Sequence, residues 1–252
     1  MPCLGLMAAL RPELAAVLDR MPDERRQTVG GREYWLGHWH GHELVVVLSG
    51  IGKVAAATTA TALIERFGVD RIIFTGAAGG LADGVRVGDV VVAHELLQHD
   101  MDASPLFPRY EVPLTGLSRF PTDAALAREL IDAARKALAD PAGELLDENA
   151  ALEFSLQTPL VHEGLIVSGD RFVSTRVESA ALCRALPDAL AVEMEGAAVA
   201  QVCHDYGVPF AALRTISDRA DDAAHVDFTR FIEKVASRYS AAILEAYFSP
   251  LS

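Results

Sequence analysis

Arg71-Ile72-Ile73-Phe74-Thr75-Gly76-Ala77-Ala78-Gly79-Gly80 starts as an apolar run and ends in glycine. Isoleucine, phenylalanine and threonine favour a strand, and a nearly unbroken apolar run suits one covered on both faces. The glycines after Phe74 allow backbone to approach a ligand closely, and free N–H groups there can hold an anion or a ribose oxygen. Thr75 to Gly80 also reads as a tight strand-to-loop turn. It contains neither GxGxxG nor GK[ST], so it is not a dinucleotide or P-loop fingerprint.

Outward from this stretch, short apolar runs alternate with segments of helical period. The runs are Leu4-Ala9, Tyr34-Trp39 and Leu44-Ser49 (a hairpin through Gly41), Asp89-Ala93, Leu165-Val167, Leu190-Glu193 and Phe210-Ile216. Ala56, Ala60, Leu63, Ile64 and Phe67 share one helical face, which Gly68 ends as a C-cap. Phe228, Phe231, Ile232, Val235, Tyr239 and Ile243 mark a last amphipathic helix with Asp227 as its N-cap. Alternation of this kind predicts an α/β fold, a three-layer sandwich whose central mixed twisted sheet is flanked by helices. Residues 1–252 read as a single domain. A surface excursion at 104–163 breaks the pattern with prolines, one helix from Asp123 to Ala139, and a weakly periodic insertion over Ala142-Thr158.

Composition narrows the function. The net charge of −13, without a basic stripe, argues against nucleic acid. Although 51% of residues are hydrophobic, no uninterrupted run nears the roughly 18 needed to span a membrane. Cys3, Cys183 and Cys203 are widely spaced and form no CxxC, so neither a disulfide framework nor structural zinc is expected, and a reducing cytoplasm fits best. His38, His40 and His42 alternate, with His38 and His40 on one strand face, but no fourth ligand accompanies them. His99-Asp100-Met101-Asp102 lacks calcium-loop spacing and reads as a structural or interface loop. No metal or other cofactor is expected.

Four strand ends carry residues with chemistry, the position at which open α/β sheets bind ligands. The glycine loop is the first. The second is Val192-Glu193-Met194-Glu195-Gly196, where buried carboxylates need a use or a partner; Glu195 reads equally as a helix N-terminal charge. The third is Arg214-Thr215-Ile216-Ser217-Asp218. There Asp218 is either a general acid, oriented by Ser217 or Arg214, or a turn residue. The fourth, Glu13 behind Arg11-Pro12, needs no function in the first turn of a helix.

Taken together, the motifs resemble the 5′-methylthioadenosine/S-adenosylhomocysteine nucleosidases, a hydrolytic branch of the purine nucleoside phosphorylase superfamily. Ala9-Leu10-Arg11-Pro12-Glu13-Leu14, Ser49-Gly50-Ile51-Gly52-Lys53, Thr75-Gly76-Ala77-Ala78-Gly79-Gly80-Leu81 and Val87-Gly88-Asp89 carry the likeness. They are followed in family order by His99-Asp100-Met101-Asp102, Gly164 to Asp170, Val192-Glu193-Met194-Glu195 and Ile216-Ser217-Asp218. The resemblance implies that Asp218 is the acid at adenine N7, with Ser217 orienting it, and that Glu13 is the base for the attacking water. It implies that Glu195 holds ribose hydroxyls, Met194 lines the sugar face, Phe172 stacks on adenine and the Val173 backbone reads its edge. Phe228 and Ile51 would surround the ribose and its thioalkyl group, and Glu193, Ala77 and Gly79 would complete the substrate site. A homodimer is implied as well, with the loop around Ala103-Phe107 at the interface.

Two positions depart from the family pattern. Ala77 stands where a hydroxyl residue is common, and Arg11-Pro12 stand where relatives often carry carboxylates. Two other functions share the architecture: a phosphorolytic nucleoside or methylthioadenosine phosphorylase, and a catalytically silent nucleoside sensor. The hexameric phosphorylases typically open the glycine loop with arginine and carry a serine within it; Phe74 and Ala77 occupy those places. 6-Amino-6-deoxyfutalosine is a further hydrolytic substrate that some relatives accept.

Overall fold

The computed structural model describes residues 3–9, 11–139, 145–146, 148–220 and 228–249. Strands β1 (Cys3–Ala8), β5 (Arg71–Gly80) and β10 (Phe210–Asp218) lie parallel at its centre, with Ala8 beside Thr75 and Leu213 beside Thr75 on the other flank. Their side chains alternate between two cores, as the period of a strand requires. Leu6, Ile73 and Leu213 enter one; Met7, Phe74 and Ala212 enter the other.

Helices cover both faces. Helices α1 (Arg11–Leu18), α3 (Ala124–Leu138) and α8 (Ser237–Phe248) bury Leu14, Leu130 and Ile243 in the first core. Helices α2 (Lys53–Phe67) and α6 (Gly196–Tyr206) bury Leu63 and Val199 in the second. Gly68 ends α2 with φ 64°, a left-handed cap that glycine adopts without a Cβ clash.

On one side the sheet continues from β1 to β4 (His42–Leu48), β3 (Arg32–Trp39) and β2 (Arg25–Val29). On the other side it closes upon itself. Strand β10 pairs with both β5 and β6 (Val90–Gln98), β6 with β8 (Val161–Ser168), β8 with β9 (Ala189–Glu193), and β9 with Gly79-Gly80 of β5. This closure is why the glycines predicted to form a loop belong to a strand: Gly79 and Gly80 pair with Val192 and Ala191. A Cβ on Gly79 would meet Ala220 Cβ at 2.9 Å and Asp218 Oδ1 at 3.0 Å, so glycine is what permits the approach.

The stretch read as an excursion is partly built into the core. Strand β7 (Arg119–Pro121) pairs with β6, and α3, capped by Asp123 on the Leu126 N–H, packs against α8. A short helix, α4 (Glu148–Glu153), follows, and Glu153 pairs with Arg230 and Lys234. Part of the predicted 142–158 insertion, and Asp227, lie outside the described residues. The final amphipathic segment is α7 (Phe228–Phe231), a π-helical stretch (Ile232–Ala236) and α8. His40 is not on a strand face: it sits in the β3–β4 turn at φ 48° and pairs with Glu245 at 2.5 Å, while His38 pairs with Asp23 at 2.7 Å. No described group of three or more His, Cys, Asp or Glu has metal-site geometry, and no described helix is long and apolar enough to cross a membrane.

Candidate active site

A cavity of about 130 Å3 opens where β5, β9 and β10 end, the position at which open α/β sheets bind ligands. Ala77, Ala78 and Gly79 of β5 form one wall. Ser217 and Asp218, at the end of β10, form the next, and Glu193, Met194 and Glu195 lead from β9 into α6. Phe172 and Val173 arrive from the connection after β8, while Ile51, Ala9 and Phe228 complete the enclosure. The Phe172 and Phe228 rings meet edge to face, 6.1 Å apart at 76°.

Asp218 is held at both oxygens. Ser217 Oγ donates to Oδ2 at 2.7 Å and the Ala220 N–H donates to Oδ1 at 2.7 Å. The strand end itself is pinned by Asp89: its carbonyl accepts from Ile216 N at 2.8 Å, and Gly88 N donates back to Ile216 O at 2.9 Å. The buried Asp89 carboxylate in turn accepts from Leu160 N, Arg86 N and His162 Nε2, tying the turn to β8.

Glu193 and Glu195 have different surroundings. The Glu193 carboxylate accepts from Arg214 Nη2 at 2.8 Å, Gly196 N at 2.8 Å, Glu195 N at 3.1 Å and the Ser168 hydroxyl. Arg214 also donates to the carbonyls of Phe74 and Leu213, and its guanidinium lies 4.2 Å from the Phe74 ring centroid. Arg214 therefore braces Glu193 and does not orient Asp218, one of the two options its sequence position left open. Glu193 lines the cavity, but these internal bonds make it part of the framework more than a free substrate contact.

Glu195 is 6% exposed and accepts the Gly52 N–H at 2.8 Å. Burial, and next the Glu193 charge, push its carboxyl up to about 7. That bond joins α6 to the N-terminus of α2. Asp170 takes the adjacent Lys53 N–H at 2.7 Å, and Lys53 Nζ reaches Asp100 at 2.7 Å. Asp100 also accepts the Asp170 N–H at 2.9 Å. Two carboxylates from distant segments thus replace the side-chain cap that Gly52 cannot supply. The same contacts anchor the segments carrying Ile51 and Phe172.

Glu13 is fully buried in the first turn of α1 and does not itself line the cavity. Ala9, at the head of the same β1–α1 connection, does. Since β1, β5 and β10 are parallel neighbours, Glu13 and Asp218 follow strands that end on the same side of the sheet.

The sequence pattern of the phosphorylase superfamily matches residues 4–249. A 5′-methylthioadenosine/S-adenosylhomocysteine nucleosidase of Shewanella putrefaciens is 38% identical over 241 residues, 96% of this chain and 95% of that protein. The chain belongs to the 5′-methylthioadenosine/S-adenosylhomocysteine nucleosidase family. A solved family member from Neisseria meningitidis, in complex with methylthio-immucillin-A, superimposes with a TM-score of 0.87 at 33% identity, covering 100% of both chains. Futalosine hydrolase of Helicobacter pylori superimposes at 0.82 with 33% identity, over 99% of this chain and 98% of that one.

Of the site residues that the family resemblance implied, the cavity gathers all except Glu13. It also includes Arg171, paired with Glu178, and the apolar Val192 and Ala78. Nothing in the sequence distinguished Arg171 from an ordinary surface cation.

Proposed function

We propose that this chain hydrolyses the N-glycosidic bond of 5′-methylthioadenosine and S-adenosylhomocysteine, releasing adenine and the 5-thioribose product. The observation that carries this reading is one cavity lined jointly by Asp218, Glu195 and Phe172, in a chain of this family. Phe172 and Val173 offer the flat apolar surface and backbone edge that adenine needs. Asp218, oriented by Ser217, gives a proton to N7, so that the base leaves with the bonding electron pair as a neutral molecule. Water adds to the anomeric carbon and yields one proton to Glu13. Carboxylates near the sugar stabilise the positive charge that builds there, while Glu195 accepts the ribose hydroxyls. Ile51 and Phe228 accommodate the alkylthio group.

Water suits this site better than phosphate. Arg171 is the cationic residue among the described cavity lining, and it is already paired with Glu178; Arg214 is committed to Glu193. A phosphate nucleophile needs such groups unpaired. Chromatography of products with and without added phosphate tests the reading. We expect adenine and methylthioribose at equal rates in both; phosphate dependence with methylthioribose 1-phosphate as product would identify a phosphorylase, and binding without release would identify a sensor.

The likeness to futalosine hydrolase supports a second substrate, 6-amino-6-deoxyfutalosine, at the same site. The reading also includes one nucleosidase unit over residues 1–252, a cytoplasmic setting and a homodimer. Leu106 is 84% exposed within the Ala103–Phe107 loop; Ile51, which lines the cavity, is 68% exposed, and Val54, in the first turn of α2, is 78% exposed. Apolar side chains so placed suit burial against a second copy. Sedimentation at micromolar concentration tests it, with a dimer expected.

A further inference from the structure

We infer that a groove beside the cavity, walled by Arg11 and Arg32, takes the carboxylate at the far end of the substrate's 5′ substituent and so favours S-adenosylhomocysteine over methylthioadenosine. The inference rests on the hydrolytic reading above. The groove, of about 460 Å3, runs between the start of α1 and the β3–β4 side of the sheet.

Groove and cavity share a wall. The Ser49 N–H donates to the Ala8 carbonyl at 2.9 Å, so the chain leaving β4 runs beside the chain leaving β1. On the first of these segments Gly50 lines the groove and Ile51 the cavity; on the second, Arg11 lines the groove and Ala9 the cavity. Consecutive Cα atoms lie about 3.8 Å apart and two residues of chain span at most about 7 Å, so one hollow begins where the other ends. Ile51 borders the thioalkyl group in the reading above, which puts the groove at the 5′ end of the nucleoside.

The lining complements homocysteine. Leu14, Leu48 and Trp35 belong to the core on this face of the sheet and give the methylenes an apolar floor. Arg32 is half-buried, and its guanidinium donates to the main-chain carbonyls of Ser49 at 3.4 Å, Ala55 at 3.3 Å and Gly30 at 3.5 Å, which fix its direction and leave its charge unneutralised. Arg11 is exposed and has no ion pair among the described residues. Two guanidinium groups in that state on one groove are a docking point for a carboxylate, held against the overall field of a chain of net charge −13. Glu33, on the same groove, is paired with Arg26 at 2.9 Å and still 43% exposed, so it can accept from an ammonium as well. Methylthioadenosine, uncharged beyond its sulfur, engages none of these groups. A carboxylate also ends the 5′ substituent of 6-amino-6-deoxyfutalosine, but no ammonium accompanies it, so Glu33 separates the two anionic substrates.

The test is steady-state release of adenine from methylthioadenosine, 5′-propylthioadenosine, S-adenosylhomocysteine and 6-amino-6-deoxyfutalosine by wild type, Arg11→Ala, Arg11→Glu and Glu33→Gln. Arg11→Ala should lower kcat/KM for S-adenosylhomocysteine relative to methylthioadenosine about tenfold, through KM, and Arg11→Glu about 100-fold. The propylthio nucleoside, which keeps a carbon chain without charge, should follow methylthioadenosine. Both anionic substrates should lose in the Arg11 variants, whereas Glu33→Gln should lower only S-adenosylhomocysteine, about threefold. Raising salt from about 0.05 to about 0.5 M should narrow the wild-type preference and leave the Arg11→Ala ratio in place, a response that a purely structural role does not produce.

An unaltered substrate ratio in both Arg11 variants, or equal losses with 5′-propylthioadenosine and S-adenosylhomocysteine, would overturn the subsite while leaving hydrolysis standing. Equal responses of the two anionic substrates to Glu33→Gln would overturn the ammonium contact. Absence of adenine release by wild type from every nucleoside would remove the hydrolytic reading, and the subsite with it.

Discussion

Arg214 Nη2 and Glu193 Oε2 meet at 2.8 Å with side chains 1% and 2% exposed, directly beneath the segment that presents Met194 and Glu195. Removing one member of such a pair leaves the other charge buried and uncompensated, at about 3–5 kcal/mol. Arg214→Met should therefore lose about that much in urea-induced unfolding. Glu193→Gln/Arg214→Met should recover part of the loss, because neither charge then remains. Equal stability in Arg214→Met and wild type would refute the framework role.

Glu195 should make nucleoside binding depend on pH. Burial first, then Glu193, raise its carboxyl from 4.5 to about 7, and only the ionised form has all of its acceptor sites free for ribose hydroxyls. Apparent KM should fall as pH rises through about 7, and Glu195→Gln should flatten that change. The sign for stability is opposite. The folded state holds this proton more tightly than the unfolded chain, so its contribution is full below about pH 4.5 and declines as pH rises to about 7. Thermal midpoints of wild type and Glu195→Gln should therefore be similar at low pH, with Gln gaining on wild type as pH is raised across that window.

Gly79 bears on the placement of Asp218 more than on the fold. An added Cβ meets Asp218 Oδ1 at 3.0 Å and Ala220 Cβ at 2.9 Å, so one of them must move. Gly79→Ala should reduce kcat about 100-fold, the scale of a 1 Å misplacement at a reacting group. Near-wild-type kcat would mean that the carboxyl of Asp218 tolerates displacement.

Asp170 caps α2 from outside the helix at 2.7 Å. Asp170→Ala should cost about 1 kcal/mol of stability, as loss of an N-cap does, and raise KM because Ile51 and Phe172 are no longer anchored to a common point. Asp170→Asn, which keeps an acceptor oxygen, should fall between. Unchanged KM in Asp170→Ala would separate the clasp from the pocket.

Local chemistry made much of this legible. The β-branched runs at 71–74 and 210–216, the Gly68 cap and the helix starting near Asp123 are each decided by side chains near one another in sequence. So are the candidate carboxylates at strand ends, since Asp218 and Glu195 sit beside strand termini that apolar runs reveal. What escaped depends on pairing across long separations. Closure of the sheet through Gly79 and Val192, the Gly52–Glu195 bond spanning 143 positions, and the Arg214–Glu193 pair have no local pattern. The glycines of β5 looked like a loop because glycine lowers strand propensity, and only the approach of Ala220 and Asp218 explains why glycine is tolerated inside a strand.

In the proposed reaction Asp218 and Glu13 act at opposite ends of one glycosidic bond. The most direct measurement is a crystal structure of Asp218→Asn with methylthioadenosine bound. That structure should show intact substrate, adenine between Phe172 and the Val173 backbone with N7 facing residue 218, ribose hydroxyls on Glu195, and an ordered water touching Glu13 on the far side of the anomeric carbon. A nucleoside bound elsewhere, or a Glu13 carboxylate directed away from the sugar, would contradict it.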